Sequence, residues 1–260
     1  MEGKRKSLLT VITFGIWFMM VSPTADAWTD QTHMAIAKAG GLESYHNACA
    51  ADVSHTVAYM NNIWLTDSPA HYFDAVKPPN RQDVAEQLNL IGLSKKKAPN
   101  GYLLGAIVNA VRKAKTRTEK SKFDDYYYAV IAHYIGDLSQ PLHISAYDDF
   151  NKSHHLQVDD TLTCKNVAWD VDGAGYIAKE LHIDDSVRFN DETELVDYML
   201  KIANESFELS QKLRHDNRVI TREEAVQRAS RSATMLRAVL RYCGKDVVQD
   251  EKIGTLPKAS

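Results

Sequence analysis

The chain is expected to fold as an all-α, single compact multi-helix domain, and three observations carry that expectation. Apolar residues recur at spacings of three and four in several long segments, the period of a helix face. No segment alternates strongly with the period of two that a half-buried strand requires. A capping box and a terminal glycine bracket the last periodic segment. With 260 residues, 44% of them hydrophobic, the chain can bury one sizeable core.

The elements follow in order. Lys4, Arg5 and Lys6 precede an apolar run from Leu8 to Val21, and Ala25-Asp26-Ala27 is a small-x-small cleavage site. Residues 1–27 therefore read as a secretory signal peptide, which places the mature chain outside the cytoplasm, periplasmic or secreted. A membrane anchor is the alternative, and the run is short for a span. Removing residues 1–27 takes away three basic and two acidic residues, so the formal net charge goes from -3 to -4. That excludes a global basic field for nucleic acid while leaving room for a local patch.

His33 lies at the start of the first helix of the mature chain. Leu104, Ile107, Val108 and Val111 line one face of a helix within Gly101–Arg117. Tyr126–Leu138 is apolar enough to be a buried central helix. Leu195, Met199, Ile202, Ser206, Leu209 and Leu213 form a further stripe. Thr221-Arg-Glu-Glu224 is a capping box that opens a helix running to Cys243 and stopping at Gly244. Pro78-Pro79 marks a loop, residues 160–190 read as a long surface excursion, and residues 249–260 form a polar tail. The helical domain thus spans 28–248. Cys49, Cys164 and Cys243 allow at most one internal disulfide, with the pairing open, and none sits in the CxxC spacing of thiolate zinc sites.

The chemistry concentrates in His133-Tyr-Ile-Gly-Asp137-Leu-Ser-Gln-Pro141-Leu-His143. Positions four apart share a helix face, so His133 and Asp137 can hold one metal together. Pro141 ends or kinks the helix and lets His143 point to a neighbouring site. His155 and Asp159 repeat the four-residue spacing; His154 has Val158 at that position and is passed over. Imidazole and carboxylate ligands with few thiols suit zinc. Ionisable groups on an otherwise apolar helix are costly to bury without such a partner. His46, His55, His182 and His215 read as ordinary polar residues, and Asp148 and Asp149 as solvent-facing loop residues. Cleavage after Ala27 would free the amine of Trp28, which with its own carbonyl can chelate a metal once deprotonated.

Trp28 with His33, Ala-Ala-Asp52, His71-Tyr-Phe-Asp74, HxxxDxxxxxH at 133–143 and HxxxD at 155–159 occur in that order behind the signal peptide. In this the chain resembles the zinc-dependent phospholipase C and single-strand-specific nuclease superfamily. The resemblance covers Trp28 to about Asp160 by motif. It implies an exported all-helical enzyme with three zinc ions. One would be held by Asp52, His71, His133 and Asp137. A second would be held by His143, His155 and Asp159. The third would take Trp28, His33 and a shared oxygen of Asp137. It further implies phosphodiester hydrolysis by a zinc-bridged hydroxide that Asp137 orients, with Tyr72 and Asp74 binding a base. The spacing departs from the family at one point. The family aspartate lies about fifteen residues before the histidine, whereas Asp52 is nineteen before His71 and Asp67 only four. Asp52 is preferred on its Ala-Ala-Asp context, and Pro69 disfavours a regular helix joining Asp67 to His71.

The short Trp28–His33 spacing favours a nuclease or nucleotidase acting on single-stranded nucleic acid or nucleotides. The alternatives are a phospholipase C acting on phospholipid head groups and a non-catalytic exported zinc-binding protein. No protein partner is implied.

Overall fold

A computed structural model describes residues 28–51, 68–91, 100–117, 124–167 and 170–248. Residues 1–27, expected to be a signal peptide, together with Asp52, His55, Asp67 and the expected polar tail, lie outside the described residues. Among those described, the chain forms eight α-helices: α1 (Asp30–Gly40), α2 (Arg81–Ile91), α3 (Leu103–Thr116), α4 (Asp124–Ser139), α5 (Asp149–Asp159), α6 (Asp170–Ala178), α7 (Glu192–Asp216) and α8 (Arg222–Tyr242). Short 3-10 turns occupy Tyr45–Cys49, Ser68–Ala70, Pro141–Ile144 and Asp160–Leu162. The described residues contain no strand, only an isolated bridge between Phe73 and Gly101. None of their helices is long and apolar enough to cross a membrane. The fold is all-α, as the periodicity predicts.

Helix α4 is the axis of the packing. It touches α1, α3, α7, α8 and the Tyr45–Cys49 turn. Ala129, Ile131, Ala132, Ile135 and Leu138 are fully buried along it, and burying each of the larger three contributes about 1.5–3 kcal/mol. The α7 stripe packs beneath, and its one polar member has a purpose: the Ser206 hydroxyl donates to the Leu138 carbonyl at 2.9 Å. Ser232 of α8 donates likewise to the Ile135 carbonyl. These bonds fix the last turns of α4, the turns that carry Asp137, against both long helices.

The ends of the helices follow local chemistry. Thr221 and Glu224 form the reciprocal capping box, and Gly244 takes φ 71° just beyond α8. Asp191 caps α7 and Asn217 ends it in the left-handed region.

Two expectations are corrected. Residues 160–190 are not a plain surface excursion, because α6 lies within them and buries Ala174, Ile177 and Ala178 against α1. Gly173 and Gly175 hid that helix from a propensity reading, and Gly173 is there because its α-carbon lies against the Gln31 amide, where a Cβ would come within 2.3 Å. Asp148 is exposed and precedes α5, as expected, and its carboxylate accepts from the Asn151 backbone N–H and caps the helix while pairing with Arg214, but Asp149 is not a loop residue, since it stands in the first turn of α5. The three cysteines are half-buried and unbridged.

Candidate metal centre

The motif residues converge at the C-terminal end of α4. Pro141 stops that helix as expected, and Gln140 turns the chain. Its side-chain oxygen accepts the backbone N–H groups of Leu142 and His143, which closes the 3-10 turn bearing His143. Helix α5 then lies with an unusual face inward. Asn151, His155 and Asp159, spaced by four, are buried, while Leu156 stays 58% exposed. Val158 still joins the core from this helix, but a buried polar stripe beside an exposed leucine marks a face built around a site.

The structure forms two buried clusters of histidine and aspartate that could hold metal ions: His33, His133 and Asp137, and His143, His155 and Asp159. In the first, Asp137 is fully buried and its two oxygens face different partners. Oδ1 lies 3.3 Å from His33 Nε2. Oδ2 lies 3.1 Å from His71 Nδ1 and 3.5 Å from His133 Nε2. His71 Nδ1 and His133 Nε2 are 3.0 Å apart. In the second, His143 Nε2 is 3.1 Å from His155 Nε2, which is 3.6 Å from Asp159 Oδ2. Donor atoms each about 2.0–2.1 Å from a tetrahedral zinc lie about 3.3 Å from one another. The observed separations of 3.0–3.6 Å therefore fit donor atoms arranged around a cation.

Hydrogen bonds behind the clusters decide which ring nitrogen faces inward. His133 Nδ1–H donates to the Ala48 carbonyl at 2.7 Å. His143 Nδ1–H donates to the His71 carbonyl at 2.5 Å, and His155 Nδ1–H to Asn151 Oδ1 at 2.7 Å. A carbonyl or amide oxygen cannot donate, so each ring carries its proton on Nδ1 and, when neutral, presents a bare Nε2. Gln140 Nε2 donates to Asp159 Oδ1 at 2.6 Å, so that carboxylate is held by one oxygen while the other faces His155. Neither Asp137 oxygen receives a well-directed hydrogen bond. A fully buried carboxylate in that state is costly unless a cation completes it. Burial alone would raise the Asp137 carboxyl, but His133, His33 and His71 outweigh it and hold it well below the usual carboxylate range. On these grounds the residues fit a metal.

The two clusters share a backbone. His71 reaches Asp137 with its ring and orients His143 with its carbonyl, and the Phe73 N–H donates back to the His143 carbonyl at 2.8 Å. His33 lies flat against His133, ring centroids 3.8 Å apart. Gly136 makes that possible, because a Cβ there would sit 2.5 Å from His33 Nδ1. Trp28 is buried, and its indole N–H donates to Ser139 Oγ, which anchors it beside the α4 turn that carries Asp137.

Tyr72 and Asp74 flank the same segment and are half-buried. The segment crosses Gly101, which has φ 72° and whose Cβ would strike the Tyr72 carbonyl. Burial pushes the Asp74 carboxyl up to about 6. Burial, then the nearby Asp74 charge, raises the Tyr72 hydroxyl. His154 stacks on Phe150 and stays outside the second cluster, and His46, His182 and His215 are exposed. Gln140, Asn151 and Gly136 were not singled out in the sequence, although Asn151 stands four residues before His155, the same spacing that marks Asp159. No family model matches the chain, and no curated protein matches it.

Proposed function

We propose that the protein is an exported zinc-dependent phosphodiester hydrolase of the nuclease or nucleotidase type, a member of the superfamily its motifs resemble. The observation that carries this is the Asp137 carboxylate, with its two oxygens turned to different histidines beside a second His/His/Asp cluster tied to it through His71. The first cluster would hold its metals through His33, His71, His133 and Asp137, with Asp52 and the Trp28 terminus added by the resemblance. The second would use His143, His155 and Asp159. Zinc bound there supplies positive charge for a phosphate and a water acidic enough to react at neutral pH.

The chain's own groups do the positioning. Asp137, buried and ionised, would orient the attacking water by accepting a hydrogen bond from it. The Nδ1–H bonds to Ala48, His71 and Asn151 hold three imidazoles in the inward-facing tautomer. Tyr72 offers a ring face for a base, and stacking tolerates any base. Asp74 can accept from a base amino group when ionised.

The test is activity of the zinc-loaded protein on single-stranded DNA, RNA, duplex DNA and phosphatidylcholine. Single strands should be cut faster than duplex, whose bases must be unstacked at a few kcal/mol before Tyr72 can reach them. Tyr72→Ala should weaken oligonucleotide binding by about 1–3 kcal/mol. Faster release of phosphocholine than of nucleotides would instead establish the phospholipase alternative, and three bound zincs without turnover the non-catalytic one.

A further inference from the structure

We propose that the cavity between α2, α3 and α4 is a second base-binding subsite for a single-stranded polynucleotide; this rests on the nuclease reading above. The cavity measures about 350 Å³ and is lined by Tyr102, Tyr126, Tyr127 and Tyr134 with Asn109 and Lys113. It shares walls with the metal centre. Ala70, at its edge, immediately precedes His71. Tyr134 sets its ring edge-on to His71 at 5.4 Å and to His133 at 6.3 Å. A strand with one phosphate at the metals therefore has this cavity beside it.

The lining matches that ligand. Tyrosine faces stack on any base, the Asn109 amide can both donate and accept at a base edge, and the Lys113 ammonium can neutralise a backbone phosphate. The chain is acidic overall, yet residues 103–118 contain no acid and carry Arg112, Lys113, Lys115 and Arg117. Arg112 bonds Glu192 and Lys115 lies over the Tyr242 ring. Lys113 meets no carboxylate among the described residues, and Arg117 places its guanidinium 4.3 Å from the centroid of the lining Tyr127 ring. Cations at the end of α3 suit its dipole, but that does not explain Tyr126 and Tyr127, 41% and 40% exposed, beside them. Aromatic rings and a cation displayed together on an acidic protein describe a surface for an aromatic polyanion. Ala70, Ile91, Ala106, Ala110 and Val130 line the cavity as well, so a lipid chain is told apart from a base by the vesicle arm of the experiment.

The experiment is fluorescence anisotropy of a labelled phosphorothioate octathymidylate with the zinc-loaded protein across a salt series. Lys113→Gln and Tyr126→Ser, both at exposed positions, should each weaken binding about tenfold with zinc content unchanged. Lys113→Gln should also reduce the slope of log affinity against log salt by about 0.7, one phosphate contact. Lys179→Gln, away from the cavity, should change neither. Unchanged affinity and slope in both cavity variants overturns the subsite, even if the protein cleaves single strands. Absence of oligonucleotide binding by the unaltered protein, or vesicle binding to phosphatidylcholine that both cavity variants abolish, overturns it too. Binding with the expected losses but no cleavage leaves the subsite standing and removes the hydrolase reading instead.

Discussion

Gly136→Ala gives a test whose sign separates a built metal centre from an ordinary helix. In an exposed helix interior this substitution stabilises by about 1 kcal/mol. At position 136 the new methyl would lie 2.5 Å from His33 Nδ1 and 2.8 Å from Cε1, against ordinary contact beginning at 3.4 Å, so the ring must retreat by about 0.9 Å. Behind it stands His133, stacked at 3.8 Å, and His33 is fully buried, so there is nowhere to retreat without moving a second cluster member. Overpacking of this kind costs about 1–3 kcal/mol, which leaves the variant roughly 0–2 kcal/mol less stable after the propensity gain. The effect on metal should be larger than the effect on folding, because ligand distances tolerate only about 0.2 Å. Thermal melts with and without zinc, together with zinc per chain by elemental analysis, measure both. A higher Tm with full zinc content would refute the account of His33 and Gly136.

Asp137→Asn should lower both zinc content and hydrolysis, because a neutral amide cannot replace a carboxylate that faces histidines with each oxygen; unchanged metal content contradicts the assignment. Gln140→Ala frees Asp159 and loosens the turn holding His143; it should deplete the second cluster before the first, read by zinc titration with a chelating dye. A chain beginning at Trp28 should bind one more zinc than one carrying extra residues before it, and equal zinc in both would remove the terminal amine from the ligand set. Asp74 has a folded pKa raised from 3.8 to about 6, so its contribution to stability is full below about 3.8 and is lost as the pH rises through about 6. Asp74→Asn should therefore flatten the fall in Tm between pH 4 and pH 8, and an unaltered slope would show that Asp74 is not the group responsible.

The fold class was legible because helix periodicity is a local property. The faces of α3 and α7, the capping box at Thr221 and the stop at Gly244 all lie within a few residues of the groups that determine them. Helix α6 was not legible, since Gly173 makes sense only against the Gln31 amide that occupies the space a side chain would take. The cap role of Asp148 likewise depends on the helix that follows it and on Arg214, distant in sequence.

The sequence by itself determined which residue types could ligate a metal and which pairs must lie on one face: His133 with Asp137, and His155 with Asp159. Four-residue spacing on a helix leaves little freedom. What only the tertiary structure decided is how those pairs meet. His33 reaches Asp137 across α4 because Gly136 is bare there, and His71 supplies a ring to one cluster and a carbonyl to the other. The inward tautomers depend on the Ala48, His71 and Asn151 oxygens, two of them more than seventy residues from the rings they hold. The tyrosine cavity, too, is assembled from three helices none of which shows it alone. Spacing along one helix is set by covalent geometry, whereas the approach of separate helices is set by which side chains are missing or small at the contact, and that is known only once the partner is known.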